Sequence, residues 1–394
     1  MVLRNREFRL LWLGRSVSGL GSWLLVVAVP AHVLVLTGSL TATGLTLAAE
    51  FLPPMLLGPF AGVVVDRWDR RRVMIAADVL RAFAVALLLF VREPDDVALV
   101  YVAVAAESVG TLAFRPAAQA HIPALVGTGR PLTAANALNS ATDGAVRLLG
   151  APLGGLLYAW GGIDLVVWPD IASYLVSAVF IALTKPGPRA RRGELGAVIA
   201  ELREGARFLR DDRAVGGLLV LNTAFLGANA ALTSVLVPHG MAAWGGTARA
   251  GLVMSGLGVG FLLGAVVVRT LDRFRPRAVL AGALAMTAVG FVVLFTIPWA
   301  ALPAAVVVGA FGSTALILVQ TTVQRRTPDA VLGRVAAVVF AAEAAATFAG
   351  ALAGPLLAEA ATIATVAWVA AGITALCALV VAHPPGRDRV PRRP

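Results

Sequence analysis

Three glutamates fall inside long apolar stretches, where a carboxyl has few ways to remain charged. Glu107 sits near the middle of 96–119 beside Ala105, Ala106, Ser108 and Gly110, while Glu50 and Glu343 lie at comparable depth in 41–65 and 335–358. A charge in such surroundings is costly, so an acid kept there is a functional candidate. The chemistry it suits is reversible proton binding, with Glu107 first and Glu50 and Glu343 as alternatives. Arg15, Arg81, Arg115 and Arg147 also lie within apolar stretches. Asp78 and Arg81 are three residues apart and Asp143 and Arg147 four, spacings at which side chains on one helix can pair.

A second group is a charged turn, Gly62-Val-Val-Val-Asp66-Arg67-Trp68-Asp69-Arg70-Arg71-Arg72. A partial copy follows roughly 206 residues later, from Gly264 to Asp272-Arg273-Phe274-Arg275-Pro276-Arg277. Gly62 lets two helices approach closely. Asp66 can accept hydrogen bonds from the free N–H groups at a helix N-terminus, where the dipole favours negative charge. Such a bond is worth about 1.5–3 kcal/mol and would move a balanced two-state equilibrium by roughly 10- to 150-fold. Arg67, Arg70, Arg71 and Arg72 are expected to pair with acids on neighbouring helices or with anionic lipid. Asp272 and Arg273 are the second-half counterparts of this gating turn.

The elements that must position these residues are membrane-spanning helices. Of 394 residues, 59% are hydrophobic and 14% charged, against about 25% charged in a soluble domain. Twelve stretches are long enough to cross the bilayer: 10–36, 41–65, 73–91, 96–119, 133–160, 163–184, 214–238, 248–269, 277–297, 300–324, 335–358 and 360–382. The first carries Arg15 and lacks a small-x-small cleavage site, so it reads as a retained helix. The net charge of +11 invites a nucleic-acid partner, and its placement removes one. Lys and Arg gather at the N-terminus, in 66–72, 185–213, 269–277 and 325–334, and in the tail, while the alternate loops hold only Arg92 and Arg249. That asymmetry puts both termini and the long middle loop in the cytoplasm of a multi-pass protein of the inner or plasma membrane.

The two halves echo each other. Gln119-x-x-x-Pro123 matches Gln324-x-x-x-Pro328, and Gly150-Ala151-Pro152 resembles Gly354-Pro355, at the same offset as the turn. Duplication predicts an all-α integral membrane fold of twelve helices in two six-helix bundles, 1–184 and 214–382. Between them, 185–213 forms a cytoplasmic linker, and 383–394 is a cytoplasmic tail. Within the linker, Glu194 to Arg210 reads as an amphipathic helix lying on the inner membrane surface, apolar at Leu195, Val198, Ile199, Leu202, Ala206 and Leu209.

Five segments in order carry a resemblance: NREFRLLWLGRSVSGLGSW, LPPMLLGPFAGVVVDRWDRRRVM, FRPAAQAHIPALV, LTAANALNSATDGAVRLLGAPLGGLL and DIASYLVSAVF. Over essentially its whole length the chain resembles a major facilitator superfamily transporter, in the branch of enterobactin exporters and macrolide-efflux proteins. The resemblance implies two bundles rocking about a central cavity lined in part by the fourth span, with Asp66 meeting the eleventh span near Gly333-Arg334 when the cytoplasmic side closes. It also implies a monomer. Members of the branch commonly read Gly-Asp-Trp where this chain has Gly21-Ser22-Trp23, which places the coupling burden on Glu50 or Glu107. The fifth-span motif of drug/proton antiporters is altered too, with Pro152 one position late.

The expected cavity face offers Trp12, Trp23, Phe51, Asn222, Phe225, Asn229, Thr233 and Gln320. Aromatics with a few amides suit an amphipathic organic molecule such as a macrolide or siderophore. Arg15, Arg115, Asp143 and Arg147 complete the coupling candidates. ATP as fuel is disfavoured, because a phosphate-binding loop needs Gly-Lys-Ser/Thr and the one lysine, Lys185, precedes Pro186. His32, His121, His239 and His383 are scattered and Cys377 is alone, so no metal, cofactor, disulfide or enzyme active site is expected. The reading is a proton-coupled exporter whose partners are a small-molecule substrate, protons and the lipid bilayer. A lipid or lysolipid flippase of the same fold, or a non-transporting membrane sensor, stays open as an alternative.

Overall fold

Apolar side chains put these segments in hydrocarbon, and hydrocarbon leaves the backbone no solvent to bond with, so each segment closes its hydrogen bonds as a helix. The structure, a computed structural model, describes residues 2–127, 130–185, 195–268 and 275–383. The helices are α1 (Arg6–Thr37), α2 (Leu40–Arg67), α3 (Arg70–Ala86), α4 (Val97–Val126), α5 (Arg130–Gly161), α6 (Asp164–Ala182), α7 (Leu195–Asp211), α8 (Arg213–Ala243), α9 (Thr247–Val267), α10 (Pro276–Thr296), α11 (Ala301–Arg326), α12 (Asp329–Ala360) and α13 (Ile363–Ala382). Most run a few residues past the expected apolar limits, because polar caps continue the helix beyond the hydrocarbon. Asn5 accepts from the N–H of Phe8 to start α1, and Asp69 accepts from that of Arg72 to start α3.

Among the described residues, eleven helices are long and apolar enough to cross a membrane. The remaining expected span, α5, is 32 residues long but carries Asp143 and Arg147, and it packs between α1 and α9. The packing sorts the spans into two groups. In the first, α1 lies on α5 and α6, α4 on α2 and α3, and α3 on α6; in the second, α8 lies on α12 and α13, α9 on α11, and α10 on α11 and α13.

Two seams join the groups, α2 against α12 and α5 against α9. In the α5–α9 seam the hydroxyl of Thr247 donates to the Gly155 carbonyl at 2.9 Å, and that of Ser255 to the Leu148 carbonyl at 2.7 Å. At the end of the other seam, the carboxylate of Glu359 from α12 accepts from the Thr41 N–H at 2.8 Å, the Thr41 hydroxyl at 2.7 Å and the Ser39 hydroxyl at 3.0 Å. It thereby serves the free N–H groups and positive dipole end of α2.

Helix α7 packs one side on the protein. Val198, Gly205 and Leu209 are buried while Ile199 and Ala206 are exposed, and the helix docks on the start of α12, with Arg334 paired to Glu204. Part of its apolar stripe is thus spent on protein.

Small residues set the seam distance. A Cβ added at Gly251 would stand 2.6 Å from the Ala151 carbonyl oxygen, a backbone atom that cannot swing away. Gly251→Ala should cost about 1–3 kcal/mol and lower the thermal midpoint of the detergent-solubilised protein by several degrees. Gly372→Ala, where nothing lies within 4 Å, should be neutral or slightly stabilising. Thermal unfolding followed by size-exclusion chromatography checks both.

Candidate functional site

Three helices of the first group converge on one buried guanidinium. Arg81 and Asp78, both on α3, form an ion pair at 5% and 0% exposure, as their spacing predicted. The guanidinium carbon lies 4.4 Å from the ring centroid of Phe114 on α4 and 4.4 Å from that of Tyr174 on α6. The rings' negative faces stabilise the cation where no water reaches it. Its aliphatic stem passes Gly110, where an added Cβ would meet Arg81 Cγ at 2.6 Å.

Tyr174 carries the arrangement on to Glu107. Its hydroxyl donates to Glu107 Oε1 at 2.8 Å, the Thr111 hydroxyl donates to the same oxygen at 2.8 Å, and Ser22 Oγ on α1 lies 2.8 Å from the Tyr174 hydroxyl. Glu107 is half-buried, so it is held in one orientation yet remains reachable. Ser22, standing where the resemblance led one to expect an acid, bonds instead to the tyrosine that orients Glu107. Glu50 is exposed and near enough to Glu107 and Arg115 for their charges to interact.

One residue of this cluster escaped the sequence reading. Asp170, one helical turn before Tyr174, is 0% exposed; its Oδ1 accepts from the Ser173 hydroxyl at 3.1 Å and its Oδ2 has no partner among the described residues. The signal was present: an acid in an apolar run, inside the quoted segment DIASYLVSAVF.

The second expected pair does not form along its own helix. Asp143 reaches from α5 to Arg15 on α1 at 3.8 Å, because the neighbouring helix offers a cation there. Arg147 lies over the rings of Trp23 at 4.9 Å and Phe261 at 5.2 Å, a contact that bridges α1, α5 and α9. Arg115 is exposed.

The charged turn is only partly described. The side chains of Gly62, Asp66 and Arg67, and residues Asp272 and Arg273 altogether, lie outside the described residues. Among the described residues, Arg70 and Arg71 take carbonyl rather than acidic partners. Arg70 donates to the Ala120 carbonyl at 2.7 Å, and Arg71 donates to the carbonyls of Ile181 and Ala182. The last carbonyls of α6 lack helical partners and form its negative end, so a cation there closes the helix.

In the second group, Asn222 donates to Glu343 Oε1 at 2.6 Å. The expected cavity residues take varied surroundings among the described residues. Trp12 donates its Nε1–H to Thr142 at 3.0 Å, Trp23 lies in the α1–α5–α9 contact, Phe225 is part of the apolar core, Phe51 is half-buried and Gln320 is exposed. Asn229 and Thr233 line a small void beside Phe291 and Phe295. A larger cavity of about 380 Å³ lies among α8, α12 and α13, lined by residues such as Ala231, Ala346, Gly350, Leu357 and Ile373. Residue type alone did not reveal which aromatics are packing. Among the described residues no group of three or more His, Cys, Asp or Glu is placed to hold a metal ion.

A family model described as transmembrane secretion effector matches residues 2–388. The chain belongs to this family of major facilitator superfamily transporters. It is 29% identical over 358 residues to the multidrug efflux pump Tap of Mycolicibacterium fortuitum, covering 86% of each chain. It is 27% identical over 225 residues to macrolide efflux protein A of Streptococcus pyogenes, where the match spans 56% of this chain and 55% of that protein, so about half the length of that relative is compared. Its fold is shared with a bacterial homologue of the iron transporter ferroportin solved in an inward-facing state, at a TM-score of 0.77 and 18% identity over 97% of this chain and 98% of that one. A D-xylose–proton symporter aligns at a TM-score of 0.74 and 13% identity over 95% and 96%. These relatives are multi-pass membrane transporters, not enzymes.

The buried pair yields a test. Arg81→Met strands the Asp78 charge and should destabilise the protein by about 3–5 kcal/mol, whereas Arg81→Met with Asp78→Asn should recover much of that loss. Thermal midpoints of the two single variants and the double variant give the coupling.

Proposed function

We propose that this family member exports an amphipathic small molecule, a drug, macrolide or siderophore-like compound, by proton antiport with alternating access. The observation that carries the reading is Glu107: an acid in the span region, half-buried and oriented by Tyr174 and Thr111. That geometry supports a proton carrier, because the carboxyl can be loaded from an aqueous cleft while its position is fixed by Thr111 on its own helix and Tyr174 on α6. Relatives named for multidrug and macrolide efflux support the cargo class. Glu50 and Glu343 are the alternative carriers, and Arg15, Arg115, Asp143 and Arg147 are placed to set the charge of the cleft.

Alternating access is supported by where the two groups join. The direct hydrogen bonds between them among the described residues involve Ser39, Thr41, Leu148 and Gly155 of the first group and Thr247, Ser255 and Glu359 of the second. In the topology proposed here, with both termini cytoplasmic, the contacts of Ser39, Thr41, Gly155, Thr247 and Glu359 lie toward the outer side of the plasma membrane and the Ser255–Leu148 bond nearer its middle. Asp66 is proposed to serve the opposite side as a cytoplasmic gate, with the protein working as a monomer. One proton entering down ~150 mV supplies roughly 3.5 kcal/mol, enough for a substrate gradient of about 300-fold. Lipid or lysolipid flipping is a second reading, favoured by the cavity of about 380 Å³ whose lining of small apolar side chains would suit an acyl chain.

Everted membrane vesicles holding the protein, energised and then given erythromycin, a lipophilic cation or a siderophore, test this directly. Collapse of the pH gradient with one compound class, lost in Glu107→Gln, is the expected result. No collapse with any compound, from folded protein, would sink antiport and leave lipid flipping to be measured with labelled lysolipid.

A further inference from the structure

The cluster around Arg81 has more acid than base. Asp78, Glu107 and Asp170 come from α3, α4 and α6, and their charges interact with one another and with the one guanidinium. Asp78 is already spent on Arg81. Ionised together, Glu107 and Asp170 would leave two uncompensated negative charges in a low-dielectric interior, a state whose desolvation cost nothing nearby repays.

The two surplus acids differ in setting. Glu107 is half-buried and holds two hydroxyl donors on one oxygen. Asp170 is fully buried and, among the described residues, receives only the Ser173 hydroxyl and leaves Oδ2 without a partner. From α1 it faces the bare backbone of Gly21, where even a methyl group would stand 2.1 Å from Asp170 Oδ1 and 2.3 Å from Ser173 Oγ. That wall leaves no space for a metal ion or a substrate. A proton is the ligand that fits. The groups surrounding Asp170 are accordingly Asp78 and Arg81 on α3, Glu107 on α4, Ser173 and Tyr174 on α6, and Gly21 with Ser22 on α1.

We infer that Asp170 is a second proton-binding carboxyl of this transporter, coupled in charge to Glu107 across Tyr174 and opened to water when α1 and α6 part at Gly21. Hydronium from the aqueous cleft gives its proton to Oδ2, leaving a neutral carboxyl and a water molecule, and release is the reverse. With Glu107 it gives the N-terminal group capacity for two exchangeable protons per cycle. The role in transport deepens the antiport reading above and rests on it, but proton binding itself is measurable without any substrate.

The test is infrared difference spectroscopy of the full-length protein in lipid nanodiscs, titrated with acid and with no substrate present. The expected result is a high-frequency, weakly hydrogen-bonded carboxyl C=O band that titrates, disappears in Asp170→Asn, and has its midpoint moved in Glu107→Gln. Wild-type protein labelled with carbon-13 at aspartate carboxyls makes the same measurement with no substitution, since the band must move with the label. The inference is overturned if no such aspartate band titrates, or if the band is constant over the pH range in which the protein stays folded. Reconstituted vesicles given erythromycin separate the two readings. No proton movement despite a titrating Asp170 band would sink antiport and leave the site standing. Movement with unchanged protons per erythromycin in Asp170→Asn would sink the site and leave antiport standing.

Discussion

A guanidinium placed inside a bilayer keeps its charge, so the protein around it has to supply what water would have supplied. At Arg81 that supply comes from Asp78 for charge, from the faces of Phe114 and Tyr174 for cation–π stabilisation, and from the missing side chain of Gly110 for space. Each contribution belongs to a different place on α3, α4 or α6, so satisfying one cation fixes the mutual register of three helices. Tyr174 cannot then rotate freely, its hydroxyl points at Glu107, and Glu107 takes its orientation from a ring whose other duty is structural. The candidate site is therefore a consequence of a stability requirement, and the acid most exposed to the cleft is held by the atoms least able to move.

The contacts between the two groups follow a different logic. Close backbone approaches occur within the groups and across the seams alike, as at Gly251 on Ala151. The broad apolar clusters lie within a group, and the cluster between groups is small: Val27, Ala31, Ala151 and Val237. Between groups, the polar contacts are a few hydroxyl-to-carbonyl bonds and one carboxylate on a helix N-terminus. A neutral bond of this kind contributes about 0.5–1.5 kcal/mol and a charged one about 1.5–3 kcal/mol. Interactions of that size can be broken at one face and replaced at the other at little net cost, which is what a two-sided carrier requires. A large apolar core across the seam would have locked a single state.

Helix positions were legible in the sequence because the bilayer enforces them: about 20 apolar residues are needed and polar residues mark the ends. Pairing was less legible. Asp78 and Arg81 meet as their spacing suggests, but Asp143 turns to Arg15 on another helix, since spacing along one helix says nothing about which cation the neighbour offers. Arg70 and Arg71 illustrate the same point, finding backbone carbonyls of α4 and of the end of α6 where acids or anionic lipid were expected. Asp170 was visible as an acid in an apolar run, yet its weight comes from Gly21 and Glu107 on other helices, a juxtaposition that only the tertiary structure supplies. The aromatic candidates failed for a related reason: Phe225 in the core and Trp23 under Arg147 are indistinguishable by type from ligand-contacting rings.

The duplicated halves have kept their architecture and divided their chemistry. Near-equal offsets relate their turns and proline motifs, but the buried ionisable cluster lies on α3, α4 and α6, while the larger apolar cavity lies among α8, α12 and α13. Of the second half's spans, α12 contributes one interior acid, Glu343, already engaged by Asn222. Burying several charges demands the tight cross-bracing seen around Arg81, and cross-bracing is incompatible with a surface that must yield to cargoes of varied shape. A lining mostly of Ala, Gly, Val and Leu has little such demand, since its one polar side chain, Thr223, is satisfied by carbonyls of its own helix. Under the antiport reading proposed above, separating the two tasks into different bundles would let one half stay rigid enough to hold protons while the other stays plain enough to accept an apolar ligand. The seams that join them, α2 on α12 and α5 on α9, would be the route by which the state of one biases the other.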